Sequence, residues 1–260
     1  MRETPPYAAS FDCAAKQHAA PLRMLTPFRE VLIPACTSTQ KRVSSLVTKV
    51  IFIGIVLALA AQRLLELRLS RRNEARILAQ GGREHAPEHF GVMKALHTSW
   101  FLAMIAEVVW LERPFIPLLS ACALIVVVVG QSLRYAAIRT LGWHWTVRIM
   151  TLPDAPPVDH GIYRYVRHPN YLGVILEIAA VPLLHTAYLT SIFFTMANAC
   201  LLTIRIRAEE QALSAHTGYV HAFKDRPRFI PRIPLDVTIQ RERFASHQRS
   251  DQMNRTKQHD

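Results

Sequence analysis

FIPLLSACALIVVVVGQSL, residues 115–133, contains no charged side chain. Its length approaches the ~20 apolar residues that a helix needs to cross a bilayer, whereas a buried helix of a soluble domain is commonly shorter. Reading outward from it, the chain repeats this composition. ALHTSWFLAMIAEVVWL (95–111) carries one acid, Glu107, and VTKVIFIGIVLALAAQ (47–62) is a third apolar block. YLGVILEIAAVPLL (171–184) is short, holds Glu177 and contains Pro182. All 31 Lys and Arg residues lie outside 50–62, 95–112, 114–133, 171–184 and 186–204. The expected fold is an all-α polytopic membrane protein with about five transmembrane helices. The last two spans would form a C-terminal helical hairpin that turns at HTAY (185–188). A single span over 171–204 would leave four, but as one helix it would be ~50 Å long and overshoot the membrane.

Charge sets the expected sidedness. Segments 63–94, 134–170 and 205–260 carry 7, 5 and 11 Lys and Arg, while ERP (112–114) carries one and HTAY none. Basic connections stay on the cytoplasmic side, so five spans place the C-terminus in the cytoplasm and the N-terminus outside, and the membrane is expected to be a bacterial inner membrane. Residues 1–49 hold 7 basic residues and conflict with that placement. Residues 1–44 lack periodicity and do not form a signal peptide, because the first long apolar run begins only near residue 50. They are expected to be a disordered extension. The membrane domain then covers 45–235, with its motif region at 140–231. The polar tail 236–260 is expected to be solvated and disordered.

Composition excludes several classes. The net charge of +12 borders apolar blocks and fills polar tails, a pattern suited to anionic headgroups, so the partner is the lipid bilayer and not nucleic acid. Cys13, Cys36, Cys122 and Cys200 are scattered, without metal-ligand spacing or a disulfide framework. No H-E-x-x-H occurs, and no metal is expected. No G-x-G occurs either, which removes the phosphate-binding loop of a soluble dinucleotide fold.

Two polar clusters flank the expected hairpin. GIYRYVRHPNYLG (161–173) concentrates tyrosines, arginines and a histidine directly before an apolar run. Such residues commonly anchor helices at the interface, and Pro169 suits the first turn of a helix. RIRAEEQAL (205–213) stands at the far end of the hairpin. Arg205 and Glu209 are four apart, and Arg207 and Glu210 three apart, so each pair shares a helix face, and the plainest reading is two surface ion pairs worth little. If 171–204 is a hairpin, both clusters emerge on one side of the membrane. Cations, aromatics and carboxylates then converge at one cytoplasmic mouth, which is where a cofactor pocket is expected.

PPVDHGIYRYVRHPNYLG (156–173), followed by R-x-x-x-E-E-x-x-L (205–213), G-Y-x-x-x-F (218–223) and R-F-I-P (228–231), resembles the isoprenylcysteine carboxyl methyltransferase family of integral membrane enzymes. The resemblance covers about residues 140–231. It implies S-adenosyl-L-methionine as cofactor and methyl transfer to an oxygen of a lipophilic small-molecule substrate. Carried over by motif, Tyr163, His168, Pro169, Asn170, Tyr171 and Glu209 would touch the cofactor, and Arg205 would meet the substrate. APPV (155–158) occupies another stretch that approaches the cofactor in the family, but it departs from the eukaryotic pattern.

The N-terminal half is similar to a bacterial subgroup found beside type III polyketide synthases, which methylates hydroxyls of long-chain alkylpyrones or alkylresorcinols. The shared pattern R-x-x-E-x-x-x-S-x-R-N falls on Arg63, Glu66, Ser70, Arg72 and Asn73. This similarity favours a polyketide hydroxyl as acceptor, with an isoprenylcysteine-type carboxyl as the alternative. A carboxylate is already ionised at pH 7, but a phenol with a pKa of about 10 needs a base or nearby cations. Arg205, Arg148 or His168 would supply the cations. Glu177 is the candidate proton acceptor, because an acid inside an apolar run is costly and often functional. Glu107, placed away from the site, has the weaker claim. His97, His185, Trp110, Trp143 and Trp145 read as interfacial. An NADPH-dependent membrane reductase and a non-enzymatic membrane protein remain the competing classes.

Overall fold

A computed structural model describes residues 26–230 other than 154 and 216, with side chains from residue 40 onward other than 41 and 217. Six helices carry the architecture: α1 (Thr26–Ala79), α2 (Glu88–Trp110), α3 (Pro117–Leu141), α4 (Pro169–Ala180), α5 (Tyr188–Ser214) and α6 (Thr217–Phe223). Four of them, α1, α2, α3 and α5, include stretches long and apolar enough to cross a membrane. Leu102, Leu118, Ile125, Phe193 and Met196 on these helices are each more than 60% exposed. In water that surface would drive aggregation, and it suits contact with lipid.

The expected span at 171–184 is not a helix of crossing length. Its 12-residue α4 rises only ~18 Å. A 3-10 turn, Pro182–His185, continues it, and Thr186 at φ 54° reverses the chain into α5. Pro182 has no N–H to continue the α-helical ladder, which accounts for the break. The hairpin is therefore present with one short, irregular arm. Residues 26–44, expected to belong to an irregular extension, lie within α1, while residues 1–25 and the tail from 231 lie outside the described residues.

Two three-residue strands interrupt the helical pattern. β1 (Arg83–His85) pairs antiparallel with β2 (Ile149–Thr151), with Glu84 opposite Met150. They fasten the α1–α2 connection to the loop after α3.

Packing between α3 and α4 depends on two glycines. A Cβ at Gly173 would lie 2.7 Å from the Gly130 carbonyl and 2.5 Å from Arg134 Cγ. Only bare backbone permits this crossing, as small residues do in membrane bundles generally. The apolar core beside it includes Phe52, Val56, Trp100, Met104, Val127 and Ile178.

The acid in the second apolar block has a structural assignment. Glu107 accepts hydrogen bonds from the Leu189 N–H at 3.1 Å, the Thr190 N–H at 2.7 Å and the Thr190 hydroxyl at 2.8 Å. Arg113 Nη2 lies 2.8 Å from Glu107 Oε1, the oxygen that also accepts the Leu189 N–H. Ala187, at the N-cap of α5, has no side chain that could do this. Glu107 caps α5 from a neighbouring helix, placing negative charge at the positive end of the helix dipole.

Candidate functional site

The site lies where α4 begins and α5 ends. Pro169 occupies the first turn of α4, where its missing N–H has no consequence, and His168 precedes it in a non-helical conformation. The hairpin then brings the E-E pair of α5 alongside. Tyr171 donates its hydroxyl hydrogen to Glu209 Oε2, and its oxygen accepts from Arg205 Nε at 2.9 Å. Arg205 Nη2 donates to the Val147 carbonyl. Arg205, Tyr171 and Glu209 thus form a guanidinium–phenol–carboxylate relay, with Arg205 3% exposed.

This arrangement corrects the expected ion pairs of α5. Arg205 does not pair with Glu209, because the Tyr171 hydroxyl stands between them. Glu210 does not pair with Arg207, which faces outward. It receives Arg228 bidentately, Nε at 3.0 Å and Nη2 at 2.6 Å, and lies 3.1 Å from His168 Nε2. Helical spacing makes the i,i+4 and i,i+3 pairs possible, but a phenol from the other arm and a two-pronged guanidinium from beyond α6 compete better.

The segment after α6 closes over the R-H-P run. The Arg167 N–H donates to the Pro227 carbonyl at 3.0 Å and the His168 N–H to the Arg228 carbonyl at 3.1 Å. Arg226 Nη1 donates to the carbonyls of Asp159 and Tyr163, both at 3.0 Å. Tyr163 is buried beside Tyr219, Phe223 and Ala137. Burial pushes the phenols of Tyr163 and Tyr219 upward, and the negative charge of Glu209 adds to both shifts. Both remain neutral hydroxyls at neutral pH. The hydrogen bonds from Arg228 to Glu210 raise the Arg228 guanidinium further.

Glu177 lies elsewhere. It is hydrogen-bonded to Arg63 of α1, and its second oxygen lies 3.4 Å from Arg134 Nε of α3. Glu66 joins the same two arginines, at 2.6 Å from Arg63 and 2.5 Å from Arg134. The result is a closed ring of two guanidiniums and two carboxylates linking α1, α3 and α4. Glu177 is not part of the Arg205–Tyr171–Glu209 relay, and both its oxygens face arginines. Of the other residues singled out, His185 is buried against the rings of Phe52 and Phe115. Trp145 is buried and Trp110 is 81% exposed.

Sequence reasoning left Tyr219 and Arg228 without roles, although the G-Y-x-x-x-F and R-F-I-P runs contained them. It also missed the Val147 carbonyl, a backbone group that carries no sequence signal.

The donor and acceptor set can be tested against a ligand that carries a cationic amine and hydroxyls. Asn170 Oδ1 is buried without a hydrogen-bond partner. Its chain neighbour Tyr171 hydrogen-bonds the Glu209 carboxylate, whose charge also acts on the buried Tyr163. Acceptor oxygens and π-faces suit cations and hydroxyl donors, so the residues fit such a ligand.

Comparison with known proteins identifies relatives of this chain. The model of the isoprenylcysteine carboxyl methyltransferase family matches residues 123–215, a range that contains Tyr163, His168, Asn170, Tyr171, Glu177, Arg205 and Glu209. The uncharacterized protein YpbQ of Bacillus subtilis (strain 168) is 38% identical over 164 residues, covering 63% of this chain and 96% of its own length. A probable protein-S-isoprenylcysteine O-methyltransferase of Oryza sativa subsp. indica is 29% identical over 101 residues, 38% of this chain and 53% of the relative. The protein-S-isoprenylcysteine O-methyltransferase of Mus musculus is 35% identical over 78 residues, 29% of this chain and 28% of the relative. This chain therefore spans about half, or less, of the length of those two eukaryotic relatives. It belongs to the isoprenylcysteine carboxyl methyltransferase family and is an integral membrane protein of the methyltransferase type.

Proposed function

We propose that this protein is an S-adenosyl-L-methionine-dependent O-methyltransferase whose acceptor is a carboxylate on a lipophilic, isoprenylcysteine-type group. The observation that carries the reading is the relay itself: a buried arginine, a phenol and a carboxylate gathered at one end of a membrane hairpin, within the family match. Tyr163, His168, Pro169, Asn170, Tyr171 and Glu209 would hold the cofactor, which when bound supplies a methyl group activated by attachment to a sulfonium. Arg205 would hold the acceptor. Its Nε and Nη2 are committed to Tyr171 and Val147, while Nη1 has no hydrogen bond among the described residues and is available to an anion.

The state of the carboxylates favours an acid over a hydroxyl as acceptor. A phenolic or enolic hydroxyl benefits from a base that takes its proton. Glu209 already accepts from Tyr171, Glu210 from Arg228, and Glu177 from Arg63. A carboxylate needs no such base, since it is ionised at pH 7, and one arginine suffices to orient it. The eukaryotic relatives named above are described as isoprenylcysteine enzymes. The alkylpyrone and alkylresorcinol reading finds no support among them. The positive connections argue for an inner-membrane protein with the pocket and the C-terminus facing the cytoplasm, so that a lipophilic acceptor enters from the bilayer and the cofactor from water. The functional unit is placed at residues 45–235.

Methyl transfer from labelled S-adenosylmethionine, in membranes containing the protein, tests the reading. A prenylated cysteine, an alkylpyrone and an alkylresorcinol are offered separately, with Glu209→Gln as control. Label in the prenylcysteine that disappears in the variant supports the carboxyl acceptor. Label confined to the polyketides transfers the assignment to a hydroxyl, and label in none of them ends the proposal.

A further inference from the structure

The α1 pattern R-x-x-E-x-x-x-S-x-R-N divides between two destinations. Arg63 and Glu66 enter the charge ring. Ser70 and Asn73, one turn apart on one helix face, are 1% and 6% exposed and reach instead toward the loop between α3 and β2. Ser70 Oγ accepts the Val147 N–H at 2.8 Å and donates to Glu74 Oε1 at 2.6 Å. Asn73 Nδ2 donates to the Trp145 carbonyl at 2.7 Å and the Gly142 carbonyl at 3.3 Å. Glu74 also lies 3.6 Å from Arg148 Nε, and Arg148 Nη1 lies 2.5 Å from Glu84. Residues 142–148 are therefore gripped by polar side chains along their length.

What the grip presents is the Val147 carbonyl, the acceptor for Arg205 Nη2. We propose that Ser70 and Asn73 are positioning residues for Arg205: by fixing Val147 they fix one of the two acceptors that hold the guanidinium, and so the aim of its free edge. The inference rests on the assignment of Arg205 to the acceptor. Its physical basis is the freedom of the side chain. An arginine loses rotamer entropy when it is held in one pose, and a group that must meet a reacting oxygen works best when that pose is set in advance by its supports. Tyr171 restrains Nε and the Val147 carbonyl restrains Nη2. With the loop released, one restraint remains and the guanidinium can swing about it. The motif on α1 thus acts across the bundle, through a backbone carbonyl, on the neighbourhood of the acceptor.

The test is a double-mutant cycle in kcat/KM for the methyl acceptor, with wild type, Ser70→Ala, Arg205→Lys and the combination. Ser70→Ala removes one hydrogen bond to the loop and is expected to lower acceptor kcat/KM roughly fivefold to tenfold. KM for the cofactor should change less than twofold, and Ser70→Thr, which keeps the hydroxyl, should restore most of the loss. In the Arg205→Lys background the same substitution should change the rate less than twofold, because residues that act through one another are not additive. Equal losses in both backgrounds would overturn the proposal, since a general packing defect acts whatever stands at 205. Backbone amide exchange over residues 143–148 provides a readout without turnover. Faster exchange in Ser70→Ala and in Arg205→Lys supports the coupling, and unchanged protection in both overturns it. If the wild type labels no acceptor, the methyltransferase assignment fails by itself and the exchange measurement still decides the coupling.

Discussion

Replacing Tyr171 with Phe removes one oxygen from the centre of the site and leaves the ring in place. That oxygen has two partners: it accepts from Arg205 Nε at 2.9 Å and donates to Glu209. In the variant a guanidinium N–H and a carboxylate oxygen both lose a neutral partner in a place where Arg205 has almost no access to water. Leaving a buried polar group unsatisfied costs about 1–3 kcal/mol, and more when it is charged. The two stranded groups can partly compensate by approaching each other, since they are four apart on one helix, but that movement draws Arg205 away from its pose. If about 2 kcal/mol of this loss appears in the transition state, kcat/KM falls roughly 30-fold. The assay is methyl transfer to a prenylated cysteine, with calorimetric titration of S-adenosylmethionine in parallel. Both should deteriorate, because the phenol joins the proposed cofactor residue Glu209 to the proposed acceptor residue Arg205. A Phe variant within twofold of wild type in both measurements would show that the relay is packing and not part of the site.

Glu107→Ala should cost about 2–4 kcal/mol, from a lost cap and two stranded N–H groups in an apolar setting, read as a lower unfolding temperature in detergent, while folded protein keeps its cofactor affinity. Glu177→Gln should destabilise by roughly 3–5 kcal/mol, because it leaves Arg63 and Arg134 sharing Glu66 alone; a variant as stable as wild type but with kcat abolished would instead restore Glu177 as a proton acceptor. Gly173→Ala should prevent the present α3–α4 crossing, since its Cβ would overlap the Gly130 carbonyl, and should lower the yield of folded protein in membranes. Arg228→Ala should weaken cofactor binding more than acceptor binding, because it frees Glu210 beside His168; equal losses for both ligands would count against that ordering.

The parts of the site that could be read in advance are those set by short-range rules. The R-H-P-N-Y run and the E-E pair flank an apolar segment too long for one crossing, so a hairpin had to bring them together, and it does at His168 with Glu210 and Tyr171 with Glu209. The parts that were misread depend on competition between distant groups. Arg205 and Glu209 satisfy the helical spacing for an ion pair, yet the phenol of Tyr171 arrives from the other arm and separates them. Nothing within RIRAEEQAL encodes that arrival. Likewise, the length of 171–184 suggested a span, but Pro182 breaks the helix after three turns.

Intramembrane charge illustrates why an acid in an apolar run is ambiguous evidence for catalysis. Two such carboxylates, Glu107 and Glu177, lie in the apolar runs, and sequence treats them alike. Glu107 meets the open N-terminus of α5 and Arg113. Glu177 meets Arg63 and Arg134, the two arginines that Glu66 also engages. Each is matched by a fixed guanidinium, which makes it a structural joint, even though Glu177 Oε1 accepts no hydrogen bond. The acids at the mouth of the hairpin differ in kind as well as in place. Glu210 is taken up by Arg228 and His168, but Glu209 has a single phenol, Tyr171, as its hydrogen-bond donor among the described residues, and the amide oxygen of Asn170, next to Tyr171 in the chain, has none. A site for an exogenous cation is better marked by acceptors that no fixed cation neutralises than by acids in unexpected positions. By that criterion the candidate site lies at Glu209, which forms no ion pair among the described residues, and at the unpartnered Asn170 oxygen, rather than in the charge ring, where two arginines already face Glu177.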